Sequence, residues 1–298
     1  MSGVLWLIVL AAAACGVYWG ARRSAKVARI TMYAVLTLVA LVMILPFYWM
    51  FVLATHETHD IFNFPPPFWF GNSLGANFAF MNHSVDIVRH FFNSLFVTAM
   101  NVVLVLLFCS MGGYAFATYR FPGRSVLFSI LMGTMMVPAL ASIIPWFILI
   151  TQFGWINSFT ALIVPGCANA FGIYWMRQYC QNNVPISLTE AAKIDGCSEW
   201  LIFFRVIAPV LLPAFAALGI MQFVNTWNDY MVPMLVLRST ERYTLPLMLS
   251  YLKGDPTRGA NMGALILASA LSVLPLLAAF LCASKFFMSG LTAGAIKE

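Results

Sequence analysis

His56 and His59 stand three residues apart, with Glu57 and Asp60 beside them. By type these are metal-ligating groups. No third donor accompanies the two histidines, so we read a polar cap at a helix end, facing water, and expect no bound metal. The sequence contains no GxxxxGK[ST], HExxH, GxSxG or GxGxxG segment. None of the phosphate, zinc, acyl-transfer or dinucleotide chemistry that those spacings support is therefore expected. We expect no catalytic residue and no cofactor. The six cysteines include no CxxC pair and read as small apolar packers.

Asp229 is the one acid well inside a long apolar run. Gln222 and Asn225 precede it at helical spacing, which puts the three on one face. Trp227 and Asn228 lie nearby. An unpaired polar group in hydrocarbon costs several kcal/mol, so this face should meet another helix or a water-filled path. Both a hydrogen-bonded packing network and a pathway lining fit the pattern. No Lys or Arg accompanies Asp229 in the spans, which argues against a proton-coupled carrier.

The stretch from Arg177 to Arg205 differs from the other connections. Ser187-Leu-Thr-Glu190 has the capping-box spacing. Ala191 and Ala192 follow, and Asp195-Gly196 suits a left-handed helix stop. Ser198-Glu199 then restarts a helix with an acid in its first turn. The expected form is helix, glycine elbow, helix. An ordinary hairpin would also connect the flanking runs, but small side chains let a helix settle into a groove on a partner.

These groups must be positioned by apolar segments. The 298 residues are 62% hydrophobic and 9% charged, against about 25% charged in soluble domains. That excludes a cytosolic enzyme or a secreted domain and places the chain in a bilayer. Seven hydrophobic runs are expected to span, at about 4–21, 30–55, 91–117, 126–152, 159–176, 207–237 and 261–284. The segments at 22–29, 118–125, 177–206 and 285–298 then share one side. They hold 11 of the 16 basic residues, against 5 opposite. The richer side should be cytoplasmic, which puts the C-terminus inside and the N-terminus outside. The net charge of +6 is thus an orientation signal, and no nucleic acid partner is expected. The first run lacks a basic stretch before it and reads as an uncleaved anchor. Its Gly16-Val-Tyr-Trp-Gly20 could admit a close helix. Phe64-Pro65-Pro66-Pro67-Phe68-Trp69 reads as a stiff, extended loop on the membrane surface.

Glu190-Ala191-Ala192-(x3)-Gly196-(x9)-Val206-x-Ala208-Pro209 resembles the EAA loop of the membrane subunits of binding-protein-dependent ABC importers. Val206 and Ala208 replace Ile and Leu of that pattern. Phe91-Phe-Asn93-Ser94-Leu95, the segment Gly113 to Gly123, Met135-Met136-Val137-Pro138, Trp227-Asn228-Asp229-Tyr230 and Gly290 to Ala295 are similar to maltose-type carbohydrate permease subunits. The resemblance covers about residues 30–298. It implies an all-α polytopic helical bundle, a six-span type I ABC importer core, with one extra N-terminal hydrophobic helix. Residues 1–29 would be that extra segment and a basic cluster. Residues 30–88 would be the first core span and outer loop. The permease core would occupy 89–285 with the EAA loop at 177–206, and 286–298 would be a cytoplasmic tail.

The resemblance further implies that Glu190, Ala191, Ala192, Asp195 and Gly196 couple to a cytoplasmic ABC ATPase subunit, which would hydrolyse the ATP. The chain itself would be no enzyme. Its other partners would be a second permease subunit in a heterodimer, an extracytoplasmic sugar-binding protein and membrane lipid. The expected function is import of a sugar or related polyol across a bacterial inner membrane, as half of the translocation pathway. A secondary carrier or channel without an ATPase is the alternative. Gln222, Asn225, Trp227, Asn228 and Asp229 would line a saccharide path or a seam between two permease subunits. For Asp229 the seam is expected, because a lone acid in a neutral-sugar path would be a costly charge.

Overall fold

The computed structural model describes residues 25–254 and 261–295, and every regular element among them is helical. The principal helices are α1 (Ala25–Leu53), α2 (Leu74–Ser84), α3 (Ile87–Thr118), α4 (Arg124–Thr134), α5 (Ile143–Gln152) and α6 (Ala170–Asn183). They continue with α7 (Ile186–Ile194), α8 (Leu212–Asn228), α9 (Met231–Val236), α10 (Leu245–Gly254) and α11 (Met262–Ala295). Among the described residues, three stretches are long and apolar enough to cross a membrane alone: Arg29–Leu53, Ile87–Thr118 and Met262–Cys282. The expected first run, with its GxxxG, lies outside the described residues, as does the end of the tail.

Two further candidate spans are bent. Arg124–Thr134 and Ala139–Gln152 meet at 94°, and Glu199–Val210 and Leu212–Asn228 meet at 81°. Proline accounts for both. Pro138 disfavours the helical conformation at Val137. Pro209 and Pro213 remove two amide donors on either side of the second bend. The turn just before that bend, Ile202–Ile207, is a π-helix.

The run expected to span over 159–176 is not one helix. A single turn, Thr160–Ile163, ends before Pro165-Gly166, and α6 starts only at Ala170. Asn169 caps α6 by accepting from the Gly172 amide at 2.7 Å. A hydropathy window does not sense the Pro-Gly break or the cap that restarts the helix.

The described residues form two compact units, one of residues 25–81 with Asn261–Ala270, the other of 82–254 with 271–295. In the first, the Asn77 amide is buried and donates to the Ala54 and His56 carbonyls at 2.9 and 2.8 Å. Trp49 Nε1 donates to the Pro67 carbonyl at 3.1 Å, and the Tyr48 hydroxyl to Phe68 at 3.0 Å. The proline loop is therefore folded back on the last turns of α1. It opens with a cis Phe64–Pro65 bond. His56 Nε2 is bonded to the Trp69 carbonyl at 2.8 Å, whereas His59 sits beside Asp60. The two histidines hold different partners.

In the second unit α3 is the central rod, packed along α6. A Cβ on Gly113 would stand 2.6 Å from Met176 Cβ and 2.7 Å from the Arg177 nitrogen. One on Gly172 would stand 2.6 Å from Cys109 Sγ. Glycine at these sites lets the two helices approach closely, the device of small-residue membrane interfaces. Around this crossing Val105, Met176, Ile202, Ile207 and Leu211 form a core without solvent access. At the other end of α3, Asn93 Nδ2 donates to the Glu241 and Tyr243 carbonyls, and Ser94 Oγ accepts from the Leu245 amide at 2.7 Å. The Phe-Phe-Asn-Ser block thus fastens the segment leading into α10.

Candidate functional site

A cleft of about 570 Å³ opens in the second unit, beside α3 and α8. Gln222, Asn225, Asn228 and Asp229 line it, with Asn101 of α3 and Trp146 of α5. Four of the five residues expected to line a path or a seam are therefore in one cleft. Trp227 is not among them. Its ring is buried, stacked on Phe223 at 5.7 Å, and its Nε1 donates to the Ser272 carbonyl at 3.0 Å. Five positions beyond Gln222 is well over a quarter-turn off the polar stripe, so Trp227 packs on the opposite side.

Asp229 also differs from expectation. It ends α8 in an extended conformation (φ −71, ψ 121) instead of continuing it. Its carboxylate accepts from the Met231 and Val232 amides at 3.0 and 3.3 Å. The acid bridges a break between α8 and α9 by satisfying the free amides at the start of α9.

Asn101 and Thr226 carry polar functions that the sequence reading missed. Asn101 is buried. Its Oδ1 accepts from Gln222 Nε2 at 2.7 Å and Thr226 Oγ1 at 3.1 Å, and its Nδ2 donates to the Ile163 carbonyl at 3.2 Å. Thr226 follows Gln222 by four, a signal on the same helical stripe. A lone Asn in the middle of an apolar run gave no such local signal.

At the elbow, α7 begins directly after Pro185, which holds the cap position at φ −62, ψ 136 with no side-chain cap bond. The expected Ser187–Glu190 capping box is not formed. The helix starts two residues too early, and Ser187, inside its first turn, has no free amide to cap. The glycine stop is formed: Gly196 has φ +77. Its amide donates to Lys193, and the Cys197 amide to Ala192, both at 3.0 Å, the paired bonds of a Schellman stop. Ser198 then caps the next turn by accepting from Leu201.

The elbow faces two ways. Thr189 and Ala192 are buried against the unit's own core. Ala192 is thus turned away from any partner, whereas Ala191 is exposed. Ile186, Glu190 and Ile194, spaced by four, form an outward stripe in which Ile186 is 62% and Ile194 86% exposed. Across the elbow Lys193 Nζ meets Glu199 Oε1 at 2.7 Å. That hydrogen bond holds the ammonium above its usual pKa. Among the described residues no group of three or more His, Cys, Asp or Glu is placed to hold a metal.

The family model for the binding-protein-dependent transport system inner membrane component matches residues 111–291. The chain belongs to that family. It is 40% identical over 222 residues to the arabinooligosaccharides transport system permease protein AraQ of Bacillus subtilis, covering 74% of this chain and 78% of that one. It is 34% identical over 268 residues to the lactose transport system permease protein LacG of Rhizobium radiobacter, covering 90% and 96%. The fold matches a chain of a bacterial ABC transporter involved in the import of the acidic polysaccharide alginate. The TM-score is 0.77 at 24% identity, over 89% of this chain and 98% of that one. In this inner membrane component the elbow and the α8 side of the cleft lie within the matched residues. Asn101, which joins the two cleft helices, lies before them.

Proposed function

We propose that this chain is the permease subunit of an ATP-driven importer for a neutral carbohydrate. The elbow carries the reading: an exposed, glycine-stopped helix inside the matched family region, presenting Ile186, Glu190 and Ile194 outward. Apolar side chains this exposed at a helix end, beside a charged elbow, fit a protein groove better than water. We assign Glu190, Ala191, Asp195 and Gly196 to docking a cytoplasmic ATPase subunit, which hydrolyses the ATP. A second permease subunit closes the open side of the cleft, so that Gln222, Asn225 and Asn228 line the path and Asp229 lies at the seam. An extracytoplasmic binding protein delivers the cargo. The C-terminus and the elbow are on the cytoplasmic side.

The carbohydrate class rests on the cleft chemistry and on the cargo named for AraQ and LacG. Amide side chains, one indole and the Asp229 carboxylate line the cleft, and among the described residues no basic one is in its lining. Such a set hydrogen-bonds hydroxyls and stacks on a sugar ring, and it offers no cation to a carboxylate or phosphate. Purification of the chain with its co-expressed partners tests the reading. An ATPase subunit retained in stoichiometric amount, with ATP-dependent uptake of a neutral saccharide in proteoliposomes, supports it. Uptake driven by an ion gradient with no ATPase present contradicts it.

A further inference from the structure

Tyr119 stands where α3 ends, at the elbow, and α3 also carries Asn101 into the cleft. The Tyr119 amide still bonds the Ala115 carbonyl, so the residue is the last fixed point of the helix. Arg124 Nη1 donates to the Tyr119 carbonyl at 3.2 Å and holds that end in place. The Tyr119 ring packs edge-on to Tyr114 at 5.6 Å. Its hydroxyl donates to Glu199, the same carboxylate that pairs with Lys193 across the elbow. The Lys193 ammonium also sits 5.1 Å over the Tyr119 ring.

Two stretches of chain run from the elbow to the cleft: α6, which leads back to Pro165-Gly166 in the lining, and the π-turn with its 81° bend into α8. Neither of these includes α3, which carries Asn101. Tyr119 supplies the link between α3 and the elbow. From Asn101 to Tyr119 is 18 residues of α3, about 27 Å of helix at 1.5 Å per residue. This stretch contains no proline and is clamped to α6 at Gly113. At its far end Asn101 grips Gln222 and Thr226 of α8. α3 is therefore joined to α8 at the cleft and to the elbow at Tyr119.

We propose that Tyr119 is a positioning residue that, through Glu199, makes α3 move with the elbow, so that docking events reach Asn101 and the cleft along α3. The proposal rests on the assignment of the elbow to ATPase docking. It adds a residue outside the docking surface itself. Tyr119→Phe keeps the ring, its Tyr114 contact and the apolar packing, and removes only the hydroxyl.

The test uses the complete complex in lipid: this chain, its permease partner, the ATPase and the binding protein. Basal ATPase rate, the rate stimulated by loaded binding protein, and the amount of bound ATPase are measured together. Tyr119→Phe is expected to lower the ratio of stimulated to basal rate about tenfold or more, the scale of one hydrogen bond to a charged group. Basal rate and bound ATPase stay unchanged. A merely structural defect would lower all three. Glu199→Ala should give the same ratio loss, and the double variant should be no worse than either single one. A parental ratio in both Tyr119→Phe and Glu199→Ala overturns the proposal while leaving the docking assignment intact. A parental complex that holds no ATPase overturns the assignment and the proposal together.

Discussion

Gln222 and Asn101, 121 positions apart in sequence, share a 2.7 Å hydrogen bond between α8 and α3. Asn101 serves three partners at once: Gln222, Thr226 and the Ile163 carbonyl. This one side chain sets the spacing of the helices around the cleft. Interhelical hydrogen bonds in membranes are worth about 0.6 kcal/mol on average. Asn101→Leu should therefore cost about 1–2 kcal/mol in total. The expected result is a lower thermal midpoint in detergent. Asn101→Asp keeps the acceptor but buries an acid and loses the donor to Ile163, so it should lose at least as much. Equal midpoints for Asn101→Leu and the parent would remove Asn101 from its place as the node.

The α3–α6 crossing gives a comparison among glycines. Gly113→Ala puts a Cβ against the backbone of Met176 and Arg177, and overpacking of this kind costs about 1–3 kcal/mol. Gly133→Ala, in α4, meets nothing within 4 Å and should be neutral or stabilising, since Gly disfavours helix by about 1 kcal/mol. Expression yield and monodispersity in detergent should separate the two variants clearly. A Gly113→Ala variant as stable as Gly133→Ala would mean that the helices do not approach as closely as described.

At the elbow the steric and conformational effects can be separated. A Cβ on Gly196 would meet nothing within 4 Å, yet the residue has φ +77. Only the left-handed backbone resists substitution, at a cost of about 1–2 kcal/mol. Gly196→Val should reduce transport and ATPase stimulation while the protein still inserts. Gly196→Asn should retain much more, because Asn tolerates this region. Uptake assays on both variants check the order, and Val performing as well as Asn would contradict it.

Asp229→Asn keeps an oxygen able to accept from the Met231 and Val232 amides. The expected result is a complex that assembles normally. Asp229→Ala leaves those amides uncapped at a cost of about 0.5–2 kcal/mol and should weaken assembly first, as a seam residue would. Size-exclusion profiles of the co-purified complex distinguish these outcomes. Should Asp229→Asn assemble fully and fail only in transport, the carboxylate charge acts on the cargo path and the seam role must be given up.

Much of this was legible in the sequence where the physics is local. Gly196 had to be left-handed because an alanine helix ran into Asp-Gly and a Ser-capped turn followed at once. The polar face at 222, 225 and 229 followed from helical spacing alone. The capping box failed because Pro185, two residues upstream, starts the helix before Ser187 can cap it. Trp227 was drawn into the cleft by proximity in sequence, although its angular position on α8 turns it to the opposite side. Asn101, Tyr119 and the Gly113 crossing depend on partners 60 to 120 residues away, which no spacing within a run reveals. The broken run at 159–176 shows a further limit: apolarity gives the length of a segment, while Pro165-Gly166 and the Asn169 cap decide where its helix lies.

Ile194 is the more exposed of the two isoleucines in the outward stripe, so it offers the most direct test of the central claim. Ile194→Cys, in a background free of the native cysteines, would be carried in the assembled complex and treated with a short thiol cross-linker. The account expects a covalent product with an ATPase subunit, and no labelling of that cysteine by a membrane-impermeant maleimide added to intact cells. Labelling from outside, with no cross-link to any ATPase, would contradict it.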